Sequence, residues 1–514
     1  MGYIVGISSG AFGLVEQKEK ASLMTIPRKI FAGGLEGVNF TQVDLESITE
    51  FNEPYVKEEL EKIKRLGITF GFHGEFYRGN ERPLEMLDSA IEADYFHSHD
   101  RLIQHIEGCG KLGGKYVNFH PSQTEPFTRL GMKLQPTKLV DPWGRPLKKL
   151  IDENGFLKDW IVKEENEFLW EFLHTTPKIY IEAIERDYTN EFYYRNKKEP
   201  SWEDKRKIHK EAIDYVRKVF LNRITTSDLS YGPEKAAYYI VAKWMKEKGD
   251  PLWRAIVGEN IKDKDLPKPD KIKKWVPAVS AKYVWGHFCP KEKEYKDPKK
   301  LMEKYKIYCL FEADMGAGGV EGMSRLIRPR DMIVLSQAIK SKWTGICIDF
   351  EHILSQNINP VKEIESIPYG AAERVKLLHL GFPTPLVPAH MPIPLGSKEQ
   401  LWLYERIFEL RKKGFEKGWM IFERAGNPRE QVILVIRLIK EFLERDIPPK
   451  ELPIEFYGIR PQGPEMRRQE LTMREHALDP LKGMLSVPEE EYTFLSKAAT
   501  DKGKAELWKK ERFK

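Results

Sequence analysis

The hydrophobic pattern of the chain repeats one rhythm: a short β-branched or aromatic run, a polar residue at its end, and then an amphipathic stretch. Such a run predicts a buried strand, and apolar residues at three- and four-residue spacing predict a helix. The predicted strands are Tyr3–Ile7, Gly37–Gln42, Thr69–His73, Tyr116–His120, Tyr308–Glu312, Gly345–Asp349, Val375–His379 and Trp419–Glu423. The helices predicted between them include Glu53–Arg65, Ser89–Cys109, Met323–Ile339, Lys398–Lys413 and Asn427–Arg445.

Eight strands that are each followed by a helix or a loop are the pattern of a parallel barrel. We therefore predict the α/β class and a (β/α)8 TIM barrel formed by residues 1–120 and 306–446. Together these two segments are close to the ~250 residues typical of that fold. A large, mostly helical insertion is expected at 121–305, and a C-terminal extension with a strand at Pro453–Tyr457 is expected at 447–514.

The insertion has a different composition from the rest of the chain. It holds 38 Lys and Arg against 30 Asp and Glu, whereas the remainder holds 46 against 48, and it contains eight of the twelve Trp. Its helical stretches are predicted at Glu164–Phe172, Trp202–Leu221 and Pro233–Lys248, with loops in the Pro-Lys runs near 267–276 and 290–300. Two interpretations of the aromatic residues stay open: core packing, or a basic surface that holds a polyanion and stacks on bases.

Composition limits where the protein can act. No apolar run reaches the ~18 residues that would span a bilayer, so no membrane association is expected. The N-terminal stretch has no basic region before its apolar residues and predicts a strand rather than a signal peptide. Four cysteines without a CxxC pair argue against a zinc ribbon or a disulfide scaffold and favour the cytoplasm. The 32% charged residues resemble the surface of a thermophile's protein.

The polar residue at the end of six predicted strands carries the chemistry. These residues are His73, His120, Glu312, Asp349, His379 and Glu423. The carboxyl ends of parallel barrel strands share one face, so three imidazoles and three carboxylates are expected at one place. So many carboxylates would repel one another unless a cation neutralised them, and this residue set suits zinc first and manganese second. We predict a divalent metal site there, although each histidine alone is more often a surface or core residue.

Three other histidines, His97, His99 and His105, lie in the predicted helix that begins at Ser89. We expect them to be surface or helix-capping residues. They are not candidates for the metal site, because they do not stand at the end of a strand.

Seven segments resemble, in the same order, motifs of endonuclease IV, the second family of apurinic/apyrimidinic endonucleases within the xylose-isomerase-like barrels. They are Phe-His-Gly-Glu-Phe-Tyr at 72–77, Phe-His-Pro-Ser at 119–122, Glu-Ala-Asp-Met-Gly-Ala-Gly-Gly at 312–319, Cys-Ile-Asp-Phe-Glu-His at 347–352, Leu-His-Leu-Gly at 378–381, Pro-Ala-His-Met-Pro-Ile-Pro-Leu-Gly at 388–396 and Phe-Glu-Arg-Ala at 422–425. The resemblance covers the barrel and does not extend to the insertion or the C-terminal extension.

The resemblance implies two or three metal ions per chain. The first would be held by His73, His120 and Glu312, and the second by Glu312, Asp349, His379 and Glu423. His352 and His390 would hold the third. The family's third metal also uses an aspartate two residues before the last histidine, where this chain has Pro388. Proline supplies no ligand, so either Glu351 or a water replaces it, or the chain holds only two metals.

The leading hypothesis is a metal-dependent phosphoesterase, an endonuclease IV-like nuclease that hydrolyses phosphodiesters in DNA repair or in another nucleic-acid reaction. In this hypothesis Glu312 or Glu423 orients the attacking hydroxide, and His352 stabilises the departing oxygen. The substrate is a nucleic acid or a small phosphate ester. Because the insertion follows His120 directly, it would supply the positive surface that a nucleic acid needs, and binding would weaken with salt.

Two further hypotheses belong to other classes. A xylose-isomerase-like sugar isomerase or epimerase would hold one divalent metal at Glu312, Asp349, His379 and Glu423, and two glutamates would move a proton next to a carbonyl. The strand-end His73 and His120 have little use in such an enzyme. A binding or scaffold protein on a degenerate barrel is the third hypothesis, and the intact set of six strand-end residues argues against it. No protein partner is predicted.

Overall fold

The computed structural model of the chain describes residues 2–8, 38–45, 47–74, 86–122, 138–163, 169, 177–226, 233–291, 295–313, 325–381, 391–423 and 429–459. Within these residues, eight parallel strands pair in sequence order and close into a barrel. They are β1 (Tyr3–Ser8), β2 (Phe40–Asp44), β3 (Thr69–His73), β4 (Tyr116–Phe119), β5 (Tyr308–Phe311), β6 (Thr344–Asp349), β7 (Val375–His379) and β8 (Gly418–Phe422). The predicted (β/α)8 class is confirmed.

Strand β2 differs most from its predicted position, whereas each end of the other strands lies within one residue of its prediction. Strand β2 begins at Phe40 and continues to Asp44, whereas the hydrophobic pattern predicted Gly37–Gln42. Its parallel pairing with β3 sets these bounds, since Phe40 lies opposite Thr69 and Asp44 lies opposite His73. The consequence is that Gln42 and Asp44 belong to the strand and lie at the end of the barrel where the other strands finish.

An apolar layer fills the barrel below those strand ends. It consists of the buried residues Phe40, Tyr116, Leu310, Cys347, Leu377 and Ile421. The Tyr116 ring needs the space left by Gly71 on β3, where an added Cβ would lie 2.6 Å from the ring. This layer is a packed floor rather than a pore, as in other eight-stranded barrels.

The helices outside the insertion follow the predicted rhythm. They are α1 (Pro54–Arg65), α2 (Glu92–Leu112), α11 (Pro329–Ile339), α12 (Phe350–Ser355), α13 (Pro360–Ser366), α14 (Lys398–Lys412) and α15 (Arg429–Glu444). Helices α1, α11 and α13 begin with proline, which is compatible with the first turn because its missing N–H has no intrahelical partner there.

The segment between β4 and β5 is helical, as predicted. Its helices are α3 (Leu147–Asp152), α4 (Gly155–Ile161), α5 (Pro177–Asn196), α6 (Trp202–Thr226), α7 (Pro233–Lys248), α8 (Pro251–Val257), α9 (Pro269–Phe288) and α10 (Pro298–Tyr305). The loop predicted near 267–276 is a correction, because Pro269 begins α9. Near 290–300 the described residues before Pro298 lie outside any helix, as predicted, and Pro298 begins α10. The predicted helix at Glu164–Phe172 lies outside the described residues except for Leu169.

The chain divides into two compact units, Met1–Leu452 and Pro453–Lys514. The helices of the insertion belong to the first unit together with the barrel. In the second unit the predicted strand at Pro453–Tyr457 is wrong, since Ile454–Tyr457 forms a 3-10 helix that ends at Gly458 with a φ of 78°. Local hydrogen bonds such as Gly458 N to Glu455 O (3.0 Å) satisfy this short segment without a partner strand. Among the described residues, none of the helices is both long enough and apolar enough to cross a membrane.

Candidate metal centre

The predicted strand-end residues form a polar layer directly above the apolar layer of the barrel. Alternate residues of a strand face the same side, so each core residue is followed two positions later by another inward residue. The residues that follow the core layer in this way are Gln42, Asn118, Glu312, Asp349, His379 and Glu423. His73 follows Gly71 and His120 follows Asn118 with the same spacing.

All six predicted strand-end residues are buried, with no more than 7% of any of them exposed. Two groups each offer ligand atoms that lie within 4.8 Å of one another. The first group is His73, His120 and Glu312, and the second is Glu312, Asp349, His379 and Glu423. Glu312 belongs to both: its Oε2 lies 3.4 Å from His73 Nε2, and its Oε1 lies 2.9 Å from His379 Nδ1. Imidazole and carboxylate in these numbers suit zinc or manganese.

The imidazoles of His73 and His352 each bond a backbone carbonyl oxygen through Nδ1, and this hydrogen bond orients the ring with Nε2 toward the site. Nδ1 of His73 lies 3.0 Å from the Gly74 carbonyl oxygen, and Nδ1 of His352 lies 2.8 Å from the Ala313 carbonyl oxygen. Carbonyl oxygens only accept, so these nitrogens donate, and in the neutral ring each opposite Nε2 is the atom that would bind a metal. A ligating histidine held by its second N–H is the usual arrangement in metal sites, so this donor set fits a divalent cation.

The charges of the site favour additional positive charge. Burial opposes protonation of His73, but the carboxylates of Glu312, Glu423 and Asp44 outweigh it and raise its pKa to about 9. Burial also opposes ionisation of Glu312, yet His379, His73 and His120 hold its pKa well below the usual range. The pKa of His379 is likewise raised, against its burial, by Cys347, Glu312 and Glu423. A cation bound among these carboxylates would neutralise their negative charge in place of the protons on the histidines.

Asp349 has a structural role that the sequence pattern did not indicate. Its Oδ1 accepts hydrogen bonds from the backbone N–H groups of Glu351 (2.7 Å) and His352 (3.1 Å), so it caps the N-terminus of α12. Its Oδ2 lies 4.0 Å from His379 Nδ1 and 3.8 Å from His352 Nε2. The cap therefore fixes one oxygen in the helix and directs the other into the site.

The residues predicted for a third metal are only partly described. His352 is buried and its ring lies 5.6 Å from the ring of His120, while its Nδ1 lies 3.4 Å from Glu312 Oε1. Glu351, considered as a substitute ligand, is also buried. His390 and Pro388 lie outside the described residues. The third metal, the identity and number of the ions, and the catalytic roles of Glu312, Glu423 and His352 stay predictions.

Two polar residues of the site were absent from the sequence-based prediction. Asn118 donates from its side-chain nitrogen to Glu312 Oε2. Gln42 Oε1 lies 3.0 Å from His379 Nε2 and 2.9 Å from the Tyr116 hydroxyl. The sequence spacing could have indicated both residues, because Gln42 and Asn118 stand two positions after the core residues Phe40 and Tyr116, as four of the predicted ligands stand two positions after theirs. A search restricted to strand-end His, Asp and Glu does not find them.

Cys347 also borders the second group. Its thiol lies within the same 4.8 Å limit of Glu312 and His379 ligand atoms. Burial, followed by the neighbouring Glu312, raises the pKa of this thiol well above its usual range. Metals bind the thiolate, so a residue that stays a thiol is a weaker candidate than the carboxylates around it.

The expectation that His99 and His105 are surface or helix-capping residues is wrong, because both are buried in the interior of α2. His99 is 4% exposed and His105 is fully buried. His99 Nδ1 lies 3.2 Å from Nδ1 of His287 in α9, and burial lowers the pKa of both rings. Burial likewise lowers the pKa of His105 to about 4, and its Nδ1 bonds the Arg101 carbonyl oxygen at 2.7 Å. These imidazoles are packed between helices that the sequence pattern did not show to be neighbours.

A buried ionic network connects the insertion to the metal-centre end of the barrel. Arg325 makes two hydrogen bonds to the Glu234 carboxylate at 3.1 and 2.6 Å, and its Nη1 lies 3.6 Å from Asp88. Asp88 accepts from Ser280 of α9 and from Ser122, each at 2.7 Å. Since Ser122 stands two residues after His120, this network fixes the chain just beyond a predicted ligand.

The aromatic residues of the insertion divide between core and surface. Trp143, Trp160, Trp253 and Trp275 are buried, as the core-packing alternative expects. In contrast, the paired helices α5 and α6 expose Tyr193, Tyr194, Trp202 and Tyr215, with 73% of Trp202 accessible. Two of these rings carry a cation: Arg206 lies 5.7 Å from the Trp202 ring and Lys197 lies 5.9 Å from the Tyr194 ring.

No protein-family model matches the sequence, and no curated protein matches it. Among solved structures, the chain is similar to a D-tagatose 3-epimerase-like protein, with 14% identity, a TM-score of 0.38, and coverage of 87% of this chain and 98% of that chain. It is also similar to the 3-keto-D-glucoside 4-epimerase YcjR from E. coli in apo form, with 9% identity, a TM-score of 0.36, and coverage of 85% and 99%.

A third similar structure is the TTHB071 protein from Thermus thermophilus soaked with ZnCl2, with 10% identity, a TM-score of 0.33, and coverage of 86% and 99%. Likenesses at this level of identity and TM-score do not decide an activity. The barrel assignment depends on the strand pairing of the chain itself, and the resemblance to endonuclease IV stays a prediction based on the seven sequence segments.

Proposed function

We propose that the chain is a divalent-metal-dependent enzyme that hydrolyses phosphoester bonds at the carboxyl end of its barrel. The observation that carries this proposal is the position of Glu312 in two ligand groups at once, with His73 and His120 on one side and Asp349, His379 and Glu423 on the other. Adjacent groups that share a carboxylate are the arrangement of two-metal hydrolytic sites. An unfilled cluster of so many buried charges would be costly, which argues against a scaffold protein.

The chemistry that divalent cations supply at such a site is Lewis-acid activation of a phosphate ester and of the attacking water. The chain's own side chains provide orientation and proton transfer. Glu423 Oε2 lies 3.2 Å from His379 Nδ1, and Glu312 Oε1 approaches the same nitrogen from another strand at 2.9 Å, so either carboxylate would orient the attacking water. His352 donates from Nδ1 to the Ala313 carbonyl oxygen, which leaves Nε2 facing the site. Against the effect of burial, the carboxylates of Asp349 and Glu312 raise the pKa of His352, so a proton on Nε2 would be donated to the departing oxygen.

The substrate proposed for this site is a nucleic acid or a small phosphate ester. The exposed rings and cations of α5 and α6 support the nucleic acid, because bases stack on aromatic side chains and phosphates bind Lys and Arg. Such binding would weaken as salt rises, whereas a small phosphate ester would bind with little salt dependence.

A sugar isomerase or epimerase with one metal is the second candidate. The observation in its favour is that Glu312, Asp349, His379 and Glu423 form a complete four-residue group on their own. Glu312 and Glu423 stand at the ends of different strands, 2.9 and 3.2 Å from His379 Nδ1, and are the two glutamates that would move a proton next to the substrate carbonyl. Several similar structures are named as sugar epimerases, and that activity is part of the screen below.

Elemental analysis of the purified chain, followed by a substrate screen, tests the proposal. We expect about two divalent ions per chain, with hydrolysis of a phosphodiester or phosphomonoester. Glu312→Gln should lose both the metal and the activity, because it removes charge from the carboxylate that the two groups share. The matched control is Glu363→Gln, a buried glutamate on α13 that should keep both.

Two results would contradict the hydrolase. One is a single ion per chain with ketose epimerisation and no phosphoester hydrolysis, which would establish the second candidate. The other is wild-type metal content in Glu312→Gln, which would show that the shared carboxylate is not a ligand.

A further inference from the structure

The hydrogen bonds around Gln42 determine the direction of its side-chain amide. Gln42 is fully buried on β2, and its Nε2 lies 3.3 Å from Oδ1 of Asp44. A carboxylate oxygen only accepts, so the amide nitrogen has to face Asp44. Asp44 is itself held by the Ser8 hydroxyl, 2.8 Å from Oδ2. The amide oxygen therefore points the other way, toward β4 and β7.

Two donors reach that oxygen. The Tyr116 hydroxyl lies 2.9 Å from Gln42 Oε1 and His379 Nε2 lies 3.0 Å from it. Because the amide oxygen only accepts, His379 has to carry a proton on Nε2. Its other nitrogen, Nδ1, faces the carboxylates of Glu312 at 2.9 Å and Glu423 at 3.2 Å. Either a proton or a bound cation has to lie between Nδ1 and these two carboxylates, and a bound metal would take the place of the proton.

We propose that Gln42 is a positioning residue for the candidate metal centre: it fixes the Nε2–H tautomer and the ring orientation of His379, so that Nδ1 is the ligating atom. This inference rests on the proposed metal centre. His73 and His352 are held by backbone carbonyls, whereas His379 depends on a side chain that substitution can remove. Loss of such an outer partner typically lowers metal affinity by about 10–100-fold.

The test compares metal affinity in variants of the full-length chain, measured by competition with a chelator for Zn²⁺ and by the absorption spectrum of the Co²⁺-loaded protein. Gln42→Met keeps the volume and removes the acceptor. We expect one bound ion to lose about 10–100-fold in affinity while the ion at His73 and His120 is retained, and we expect the Co²⁺ spectrum to change. Gln42→Glu restores an acceptor for His379 but loses the hydrogen bond to Asp44, and it should bind the metal more tightly than Gln42→Met does.

The matched control is Thr41→Val on the same strand. Thr41 is fully buried and donates to the Ile7 carbonyl oxygen at 3.0 Å, on the other face of β2. It should lose stability without losing metal affinity, which separates a folding defect from lost positioning. Gln42→Glu also keeps the test decisive if Gln42→Met does not fold.

The outcomes distinguish this inference from the proposed function. Wild-type affinity and an unchanged Co²⁺ spectrum in Gln42→Met would overturn the role of Gln42 and leave the metal centre intact. A loss of affinity in Gln42→Glu equal to that in Gln42→Met would also overturn it, because the acceptor would then be irrelevant. A wild-type chain that binds no divalent metal would overturn the metal centre, and this inference with it.

Discussion

At the scale of single residues, the site depends on side chains that serve more than one neighbour. Glu312 contacts two imidazoles and Asn118, and Asp349 caps a helix with one oxygen while directing the other inward. His120, like His73, belongs only to the candidate group that the two histidines form with Glu312. Substitution of His120 therefore separates a two-metal from a one-metal site.

We expect His120→Asn to lose about one metal ion per chain and to reduce phosphoester hydrolysis by at least about 100-fold, because the second group alone cannot complete a two-metal site. Metal content and turnover, measured on the same preparation, check this. His105→Asn is the matched control, a buried histidine outside the site that should keep its metal. A His120→Asn protein with full metal content and activity would show that the first group carries no ion.

At the scale of elements, several helices begin at a proline. A carboxyl group that is buried in the first turn of such a helix is costly to ionise. Asp331 lies in the first turn of α11 and is 3% exposed, with Arg330 Nε at 3.4 Å. Burial raises its pKa to about 7, against the effect of Arg330 and with a contribution from Glu363. The folded chain therefore binds this proton more tightly than the unfolded chain does.

Stability from this group is fully present below the unfolded pKa, near 4, and is lost as pH rises through about 7. We expect Asp331→Asn to gain about 3 kcal/mol relative to wild type between pH 5 and pH 8, at about 1.4 kcal/mol per pH unit from pH 5 to about pH 7 and with little further change above it. Denaturant unfolding at both pH values checks this. Ser336→Ala on the same helix should show no such pH dependence, and an equal effect of Asp331→Asn at both pH values would contradict the raised pKa.

At the scale of the whole molecule, the ionic network of Arg325, Glu234 and Asp88 connects the insertion to the barrel. All three are buried, so removing the cation leaves two carboxylates without compensation. We expect Arg325→Met to lower the free energy of unfolding by about 3–5 kcal/mol. Denaturant unfolding measures this, with the exposed ion pair of Lys342 and Glu303 as control.

In that control, Lys342→Met should change stability by less than about 0.5 kcal/mol, because exposed pairs contribute little. If Arg325→Met costs no more than Lys342→Met, the network does not hold the insertion to the barrel. Partial recovery in Arg325→Met combined with Glu234→Leu would assign the cost to the uncompensated carboxylate.

The sequence by itself determined the barrel and the strand ends at which the candidate ligands stand. Strand period and strand-end residue type are local properties, and the parallel direction of the strands then places their ends on one face. For that reason Thr69–His73 and Val375–His379 were predicted to the residue. The later part of β2 was missed because pairing with β3, rather than its own hydrophobicity, sets its end.

Only the tertiary structure decided which atoms face one another. Gln42 and His379 are 337 residues apart, and no local pattern relates them. The burial of His99 likewise depends on a helix of the insertion, since its partner His287 lies 188 residues further along the chain. A short stretch of chain specifies the repeat of its hydrophobic residues and the residue at which the element ends. The partner of a buried polar group is instead fixed by the close packing of elements that are distant in sequence. An unmatched donor or acceptor is costly there.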